Sequence, residues 1–294
     1  MSVKRRKGAI EKMRNSHELS IIKARIYMYI TWAFAILIIF LFMFPIYYVF
    51  SMAFKTPLDA TSYPPSFVFK PTLNNFAELF NSNNFLKYFL NSLFISSTCV
   101  VLSILLGTPF AYAISRSKAN WASTAMLVVL ILRVIPPVSI LIPFYGVFSK
   151  LHLNDTYFGV ILLYLTFTFP LCVWLLKGAF DDLPDSVEEA AFVDGCNIFQ
   201  AFFHISVPIV SEALAAAAVL IFVNSWNEYL YALIVTRART KTVPVIINSF
   251  MRFDETEYGL IAAAAVVIST PVIIFAILVR KYLTSGMTAG AVKE

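Results

Sequence analysis

Residues 183–208 read Leu-Pro-Asp-Ser-Val-Glu-Glu-Ala-Ala-Phe-Val-Asp-Gly-Cys-Asn-Ile-Phe-Gln-Ala-Phe-Phe-His-Ile-Ser-Val-Pro, and they interrupt a chain that is otherwise mostly apolar. Pro184 followed by Asp185 and Ser186 is a helix start. Asp or Ser can cap there, and Glu188 and Glu189 suit a first turn, where the helix dipole favours negative charge. Val187, Ala190 and Ala191 share one face at helical spacing. Asp194-Gly195 is the stop, because glycine readily takes the left-handed conformation that ends a helix. A second short amphipathic helix follows, apolar at Ile198, Phe199, Phe202 and Ile205, until Pro208 turns the chain. The stretch therefore predicts a short helix–turn–helix with small residues exposed. Between Gly178 and Pro208 every charge is acidic (Asp181, Asp182, Asp185, Glu188, Glu189, Asp194), which suits a basic partner. Two readings stay open on these residues alone: a docking element, or an ordinary hairpin between two longer helices.

What flanks the stretch decides its setting. Of 294 residues, 59% are hydrophobic and 14% charged, and the mean hydropathy is +0.76. Soluble domains run at about 45–50% apolar and roughly 25% charged. So much apolar surface needs a bilayer rather than a water-soluble core, and 28 Phe with 14 Tyr fit lipid-facing and interfacial helix surfaces. Six stretches are long enough to span, at roughly 26–54, 88–114, 121–148, 156–178, 210–236 and 258–282. The third carries Arg133, then Pro136-Pro137 and Pro143, so it is expected to kink or break, which membranes tolerate where the helix lines a cavity.

The fold expected is all-α, a polytopic membrane protein with six transmembrane helices. Its parts are a tail at 1–25, the first helix and an outer loop at 26–87, a core at 88–282 that includes the loop at 184–208, and a tail at 283–294. The charged lead before Ile26 reads as a retained cytoplasmic tail rather than a cleaved signal. With both termini inside, 14 Lys and Arg lie on the inner face and 8 on the outer, and the loop at 237–257 is basic against the trend. Cys99 and Cys172 lie in apolar runs and Cys196 stands alone. With no C-x-x-C and three scattered histidines, neither a metal site nor a disulfide framework is expected.

Glu189-Ala190-Ala191-x-x-Asp194-Gly195, with Phe202, Ile205 and Pro208 at their spacings, resembles the EAA loop of binding-protein-dependent ABC importer permeases. Cys196 departs from it, where the family usually has Ala. Phe44-Pro45-x-Tyr47, Ser51-x-x-x-Lys55, Pro71 to Phe76, Asn91-Ser92 and the ending Gly286 to Lys293 resemble permeases of the maltose/trehalose type. The resemblance implies the MetI-like permease fold, with Glu188, Glu189, Ala190, Ala191, Asp194, Gly195, Phe202 and Pro208 in the loop that couples to an ATPase. It implies as partners a second permease (a heterodimer), two copies of a cytoplasmic ATP-binding-cassette ATPase and an extracellular or periplasmic sugar-binding protein, in lipid and without nucleic acid. In related permeases the C-terminal tail can reach the ATPase, which assigns Thr288 to Lys293 a possible contact.

No G-x-x-x-x-G-K-[ST] loop occurs, so ATP and Mg are expected on the partner and no cofactor on this chain. Within the fifth span, Asn224-Ser225-Trp226-Asn227-Glu228-Tyr229 is a polar cluster, and intramembrane ionisable groups are costly and functional by default. Trp226 and Tyr229 are candidates to stack on sugar rings, and Asn224, Asn227 and Glu228 to exchange hydrogen bonds. The alternative is contact with the partner permease. Arg133 suits pairing or a gate. No residue is assigned a catalytic role: an embedded enzyme needs convergent ionisable groups at one depth, and Arg133 and Glu228 stand nearly alone. The cargo expected is a di- or oligosaccharide such as trehalose or maltose. Glycerol phosphate or another solute is the alternative, ahead of a channel or enzyme.

Overall fold

The computed structural model describes the backbone at 3–82, 84–250 and 257–289, and side chains at 25–81, 84–250 and 257–278. Among the described residues all regular structure is helical: α1 (Val3–Met52), α2 (Pro57–Ala60), α3 (Asn74–Ser82), α4 (Phe85–Arg116), α5 (Asn120–Val134), α6 (Pro137–Lys150), α7 (Tyr157–Asp181), α8 (Asp185–Val193) and α9 (Ile198–Ala201). A π turn (Phe202–Ser206) leads into α10 (Val207–Ile209), α11 (Ser211–Trp226), α12 (Leu230–Val235), α13 (Val243–Asn248) and α14 (Tyr258–Ala289). The side chains of the basic lead and of the ending after Leu278, including Thr288 to Lys293, lie outside the described residues.

Among the described residues four helices are long and apolar enough to cross a bilayer: Arg25–Met52 within α1, α4, α7, and Tyr258–Leu278 within α14. Two bent pairs bring the crossings to six if each counts once. These are α5 with α6, bent by 96°, and Ile198–Ile209 with α11, bent by 73°.

Contacts between α4 and α7 show that the first pair makes a crossing. Asn91 meets Tyr157, Ser103 meets Thr168 and Tyr112 meets Phe180, so residue numbers rise together and the two helices run in the same direction. The chain between them must return across the molecule, and α5–α6 is that return. Its bend is dictated locally. Ile135 and Pro136 each precede a proline, which drives both into extended backbone (ψ 123° and 130°), so α5 ends at Val134 and Pro137 opens α6.

The stretch 210–236, expected as one span, is divided. Asn227 closes α11, and the Glu228 carboxylate accepts a hydrogen bond from the Tyr231 N–H (3.0 Å) at the start of α12. The lead before Ile26, expected as a separate tail, is helical from Val3 onward and continuous with the first span.

α4 and α7 form the centre of the core. A Cβ built on Gly107 would lie 2.9 Å from the Cys172 sulfur, so the helices cross where only glycine fits. Ser103 Oγ donates to Thr168 Oγ1 (2.9 Å), an interhelical bond worth about 0.6 kcal/mol in a membrane protein. Around this pair, Tyr112, Val129, Leu176, Phe180, Phe202 and Ile221 close one end, and Ile95, Leu163, Tyr164, Tyr231 and Val235 the other. α14 packs on α11. Most of the apolar part of α1 is exposed, only its end at Ser51 and Met52 packing inward, and it offers its Phe, Ile and Leu side chains to lipid or another subunit.

At the end of the bundle away from α8, Asp155 holds the basic loop 236–242. Its carboxylate accepts the N–H groups of Arg237 (2.9 Å), Arg239 (3.1 Å) and Thr240 (2.9 Å), and the Thr240 hydroxyl (2.8 Å). Asn91 Nδ2 donates to the carbonyls of Arg239 and Lys241 (both 3.0 Å), and the Val243 N–H donates to Ser92 Oγ (2.9 Å). Burial alone would raise the Asp155 pKa, but the backbone N–H bonds outweigh it and bring the pKa below its ordinary 3.8. A lowered folded pKa means this clamp is complete above pH 3.8 and is lost as pH falls through the folded value. Asp155→Asn exchanges charge-assisted bonds for weaker ones, each charge-assisted bond being worth about 1.5–3 kcal/mol. Hydrogen exchange at Arg237, Arg239 and Thr240 is expected to quicken by more than about tenfold, while exchange within α4 and α7 stays unchanged.

Candidate docking loop and transport pathway

The stretch 184–208 folds as two helical pieces around a glycine turn. Pro184 precedes α8 without a side-chain cap, so Asp185 lies in the first turn rather than capping it. Gly195 has φ +89°, the left-handed backbone expected of it, and a Cβ there would meet nothing within 4 Å. Glycine is required by conformation, not by space. The next helix opens on a capping box: Gln200 N–H donates to Asn197 Oδ1 (2.9 Å), and Asn197 N–H to Gln200 Oε1 (2.8 Å).

Burial sorts the residues of the loop. Glu189, Ala190, Phe192, Val193, Asp194 and Gly195 form an exposed ridge, with Val193 87% exposed. Pro208 is exposed at the start of α10. Glu188 and Ala191 face inward, at 4% exposure each, so the sequence expectation of outward small residues fails at Ala191, and Glu188 lies beneath the exposed ridge. Phe202 is buried against Tyr112 (ring centroids 4.8 Å) and Phe180 (6.4 Å), and is core rather than surface.

Glu188 is held by three side chains, two from α4 and one from the π turn. Arg116, the last residue of α4, donates from Nε to Glu188 Oε2 (2.8 Å) and from Nη2 to Oε1 (3.1 Å). Ser206 of the π turn donates to Oε1 (2.7 Å), and the Tyr112 hydroxyl to Oε2 (3.2 Å). The remaining N–H groups of Arg116 reach the carbonyls of Phe180 (3.0 Å) and Leu183 (3.1 Å) at the end of α7. Burial pushes the Glu188 carboxyl up, but hydrogen bonds from Arg116 and Ser206 and the Arg116 charge prevail and hold it below its ordinary value. Asp185 also approaches Arg116 (3.5 Å), but its side chain is 70% exposed and adds little.

Halfway along the bundle, the α5–α6 break opens a cavity of about 250 Å³ lined by Arg133, Pro137, Thr166, Phe167, Asn224 and Tyr231, among others. Two residues singled out from the sequence, Arg133 and Asn224, meet here. The Arg133 guanidinium also lies over the Trp174 ring at 4.8 Å, and Phe167 stacks flat on Tyr231 (5.6 Å between centroids, 6° between planes). The other candidates go elsewhere. Trp226 is 1% exposed, packed edge-on to Phe89 (5.5 Å) and face-on to Phe222 (5.5 Å), with its indole N–H donated to the Ile268 carbonyl (3.2 Å). It cannot stack on a sugar. Glu228 turns onto the start of α12, Asn227 Nδ2 bonds back to the Val223 carbonyl (2.9 Å), and the Tyr229 hydroxyl accepts from Asn248 on α13. Among the described residues no group of His, Cys, Asp and Glu is placed to hold a metal ion, and all three cysteines are free.

Residues 100–289, which include both the loop and the cavity, match the family model described as binding-protein-dependent transport system inner membrane component. The chain belongs to this family. It is a permease component of an ABC importer, embedded by several helices in the membrane, and a transport subunit rather than an enzyme. It is 35% identical over 254 residues to a probable ABC transporter permease of Sinorhizobium fredii, covering 86% of this chain and 91% of the relative. A trehalose transport system permease of Mycobacterium tuberculosis is 32% identical, over 85% of this chain and 92% of its own. A trehalose/maltose transport system permease of Thermococcus litoralis is 33% identical, over 78% and 84% respectively. In fold, the permease matches a chain of a bacterial ABC transporter that imports alginate, with TM-score 0.73, 24% identity, and coverage of 88% of this chain and 96% of that one.

Several residues of both sites escape a reading of the sequence. Thr166 and Tyr231 each sit in apolar runs, where one hydroxyl marks nothing. Arg116 reads as one more basic residue at a helix end. Asn197-x-x-Gln200 was the signal at hand, since that spacing before an apolar run is a capping box.

Proposed function

We propose that this permease carries a di- or oligosaccharide of the trehalose or maltose type into the cell. It does so as one half of a heterodimeric pathway, driven by two copies of an ATP-binding-cassette ATPase and fed by an external sugar-binding protein. ATP and Mg bind the ATPase, and the α8 end of the bundle faces the cytoplasm. The observation that carries the reading is the ridge Glu189 to Gly195, which is exposed and free of basic residues while its underside is pinned through Glu188. An exposed rim on a braced helix is what a rigid docking contact needs, and its acidic residues suit a basic cleft. The names of the trehalose and trehalose/maltose relatives support the sugar class. So does the cavity at Arg133, where Thr166, Asn224 and Tyr231 supply a hydroxyl, an amide and a phenol suited to a polyhydroxylated solute.

The guanidinium of Arg133 in that cavity favours a second reading, in which the cargo carries an acidic group, as glycerol phosphate does. ATP hydrolysis by the complete complex in proteoliposomes, with its binding protein and a panel of trehalose, maltose, neutral trisaccharides and glycerol phosphate, separates them. Stimulation by the disaccharides alone supports the first reading, and stimulation by glycerol phosphate alone overturns it. Within the same assay, Asn224→Ala is expected to raise the half-saturating sugar concentration about tenfold, the effect of losing one well-made hydrogen bond, with the amount of co-purified ATPase unchanged.

A further inference from the structure

Taking the docking reading above as given, we infer that the Arg116–Glu188 pair is the joint that transmits movement of the docking loop to α4 and thereby to the far end of the bundle. The loop is tied to the spans covalently only through Asp182–Pro184 on one side and Pro208–Val210 on the other. A push on the ridge would turn α8 about these connections unless something fixed its underside. Glu188 is the fixing point. It lies under the ridge, accepts a two-pronged bond from Arg116, and is bonded to Ser206 in the π turn, so both halves of the loop meet at one carboxylate. Arg116 in turn grips the carbonyls of Phe180 and Leu183, which locks the end of α7 into the same cluster.

The far end of α4 completes the linkage. α4 is 32 residues long, about 48 Å as a helix. Near its other end Asn91 and Ser92 hold the loop 236–242, which Asp155 clamps. One helix therefore carries a polar clamp on a loop at each end, and its packing on α7 through Gly107 leaves no slack between them. A rigid element with defined contacts at both ends is what coupling over such a distance requires. Arg116 acts here as a positioning residue, through its bonds to Glu188 and to the Phe180 and Leu183 carbonyls.

The test uses the full complex with the second permease, the ATPase pair and the binding protein, reading sugar moved per ATP hydrolysed. Arg116→Ala strands a buried carboxylate and can unfold the loop, so the decisive variant removes both partners, Arg116→Met with Glu188→Met, which leaves no buried charge unpaired. The joint predicts that this double variant still co-purifies with the ATPase and still hydrolyses ATP, while sugar moved per ATP falls about tenfold, within the usual span of coupling between sites. Arg116→Lys, which keeps the charge but not the fork, should fall between it and the native protein. A double variant with native sugar moved per ATP overturns the joint, as does a proportional fall in transport and hydrolysis, the mark of a purely structural pair. If the native chain brings down no ATPase, the docking reading fails and the joint falls with it.

Discussion

Gly195→Val is expected to lower sugar transport by about tenfold or more, while Gly195→Asn is expected to retain most of it. The residue holds φ +89° with open space where a side chain would go. An L-residue forced into left-handed backbone costs roughly 1–2 kcal/mol, more when it is β-branched, whereas Asn visits that region readily. Val and Asn are close in volume, so a clash with a docked subunit would penalise both alike. A backbone requirement penalises Val alone. Transport rates in proteoliposomes, measured beside the amount of co-purified ATPase, check this. Equal loss in the two variants would place the constraint in the partner's contact surface and not in the turn between α8 and α9.

Trp226→Ala is the second large effect. The side chain fills the space between Phe89, Phe222 and α14, and its truncation removes packing on three helices together with the bond to the Ile268 carbonyl. Truncating a fully buried Trp costs about 3–5 kcal/mol. In a bilayer the loss comes from van der Waals contact rather than from the exclusion of water. The variant should unfold at a clearly lower temperature in detergent or fail to accumulate in the membrane. Trp226→Phe is expected to keep the native half-saturating sugar concentration while losing part of the thermal stability. A changed half-saturation at unaltered stability would return Trp226 to the pathway.

The two outcomes mark where sequence reasoning ends. The α5–α6 break was legible because Pro136-Pro137 acts on its immediate neighbours, and the Gly195 turn because glycine's freedom is a local property. The direction of Trp226 was not legible: α11 is apolar nearly all round, so no face of it is marked as inward. Glu188 failed for another reason. A carboxylate on a surface helix is read as outward by default, and only a partner 72 residues earlier in the chain makes its burial favourable. The division of the 210–236 stretch depends likewise on Glu228 turning back to cap α12, a contact that forms only once the chain has bent. Arg133 and Asn224 were each visible as polar residues in apolar runs, but their meeting in one cavity is a product of the fold.

On the proposed reading, the ridge at Glu189 to Gly195 seats on an ATPase. A photoactivatable cross-linker at Val193, exposed on that ridge, and another at Val68, exposed in the 55–72 segment, test it in the native membrane. Val193 is expected to capture a protein whose cross-linked peptides belong to an ATP-binding subunit, and Val68 is not. Capture of the ATPase from Val68 and only lipid from Val193 would contradict it.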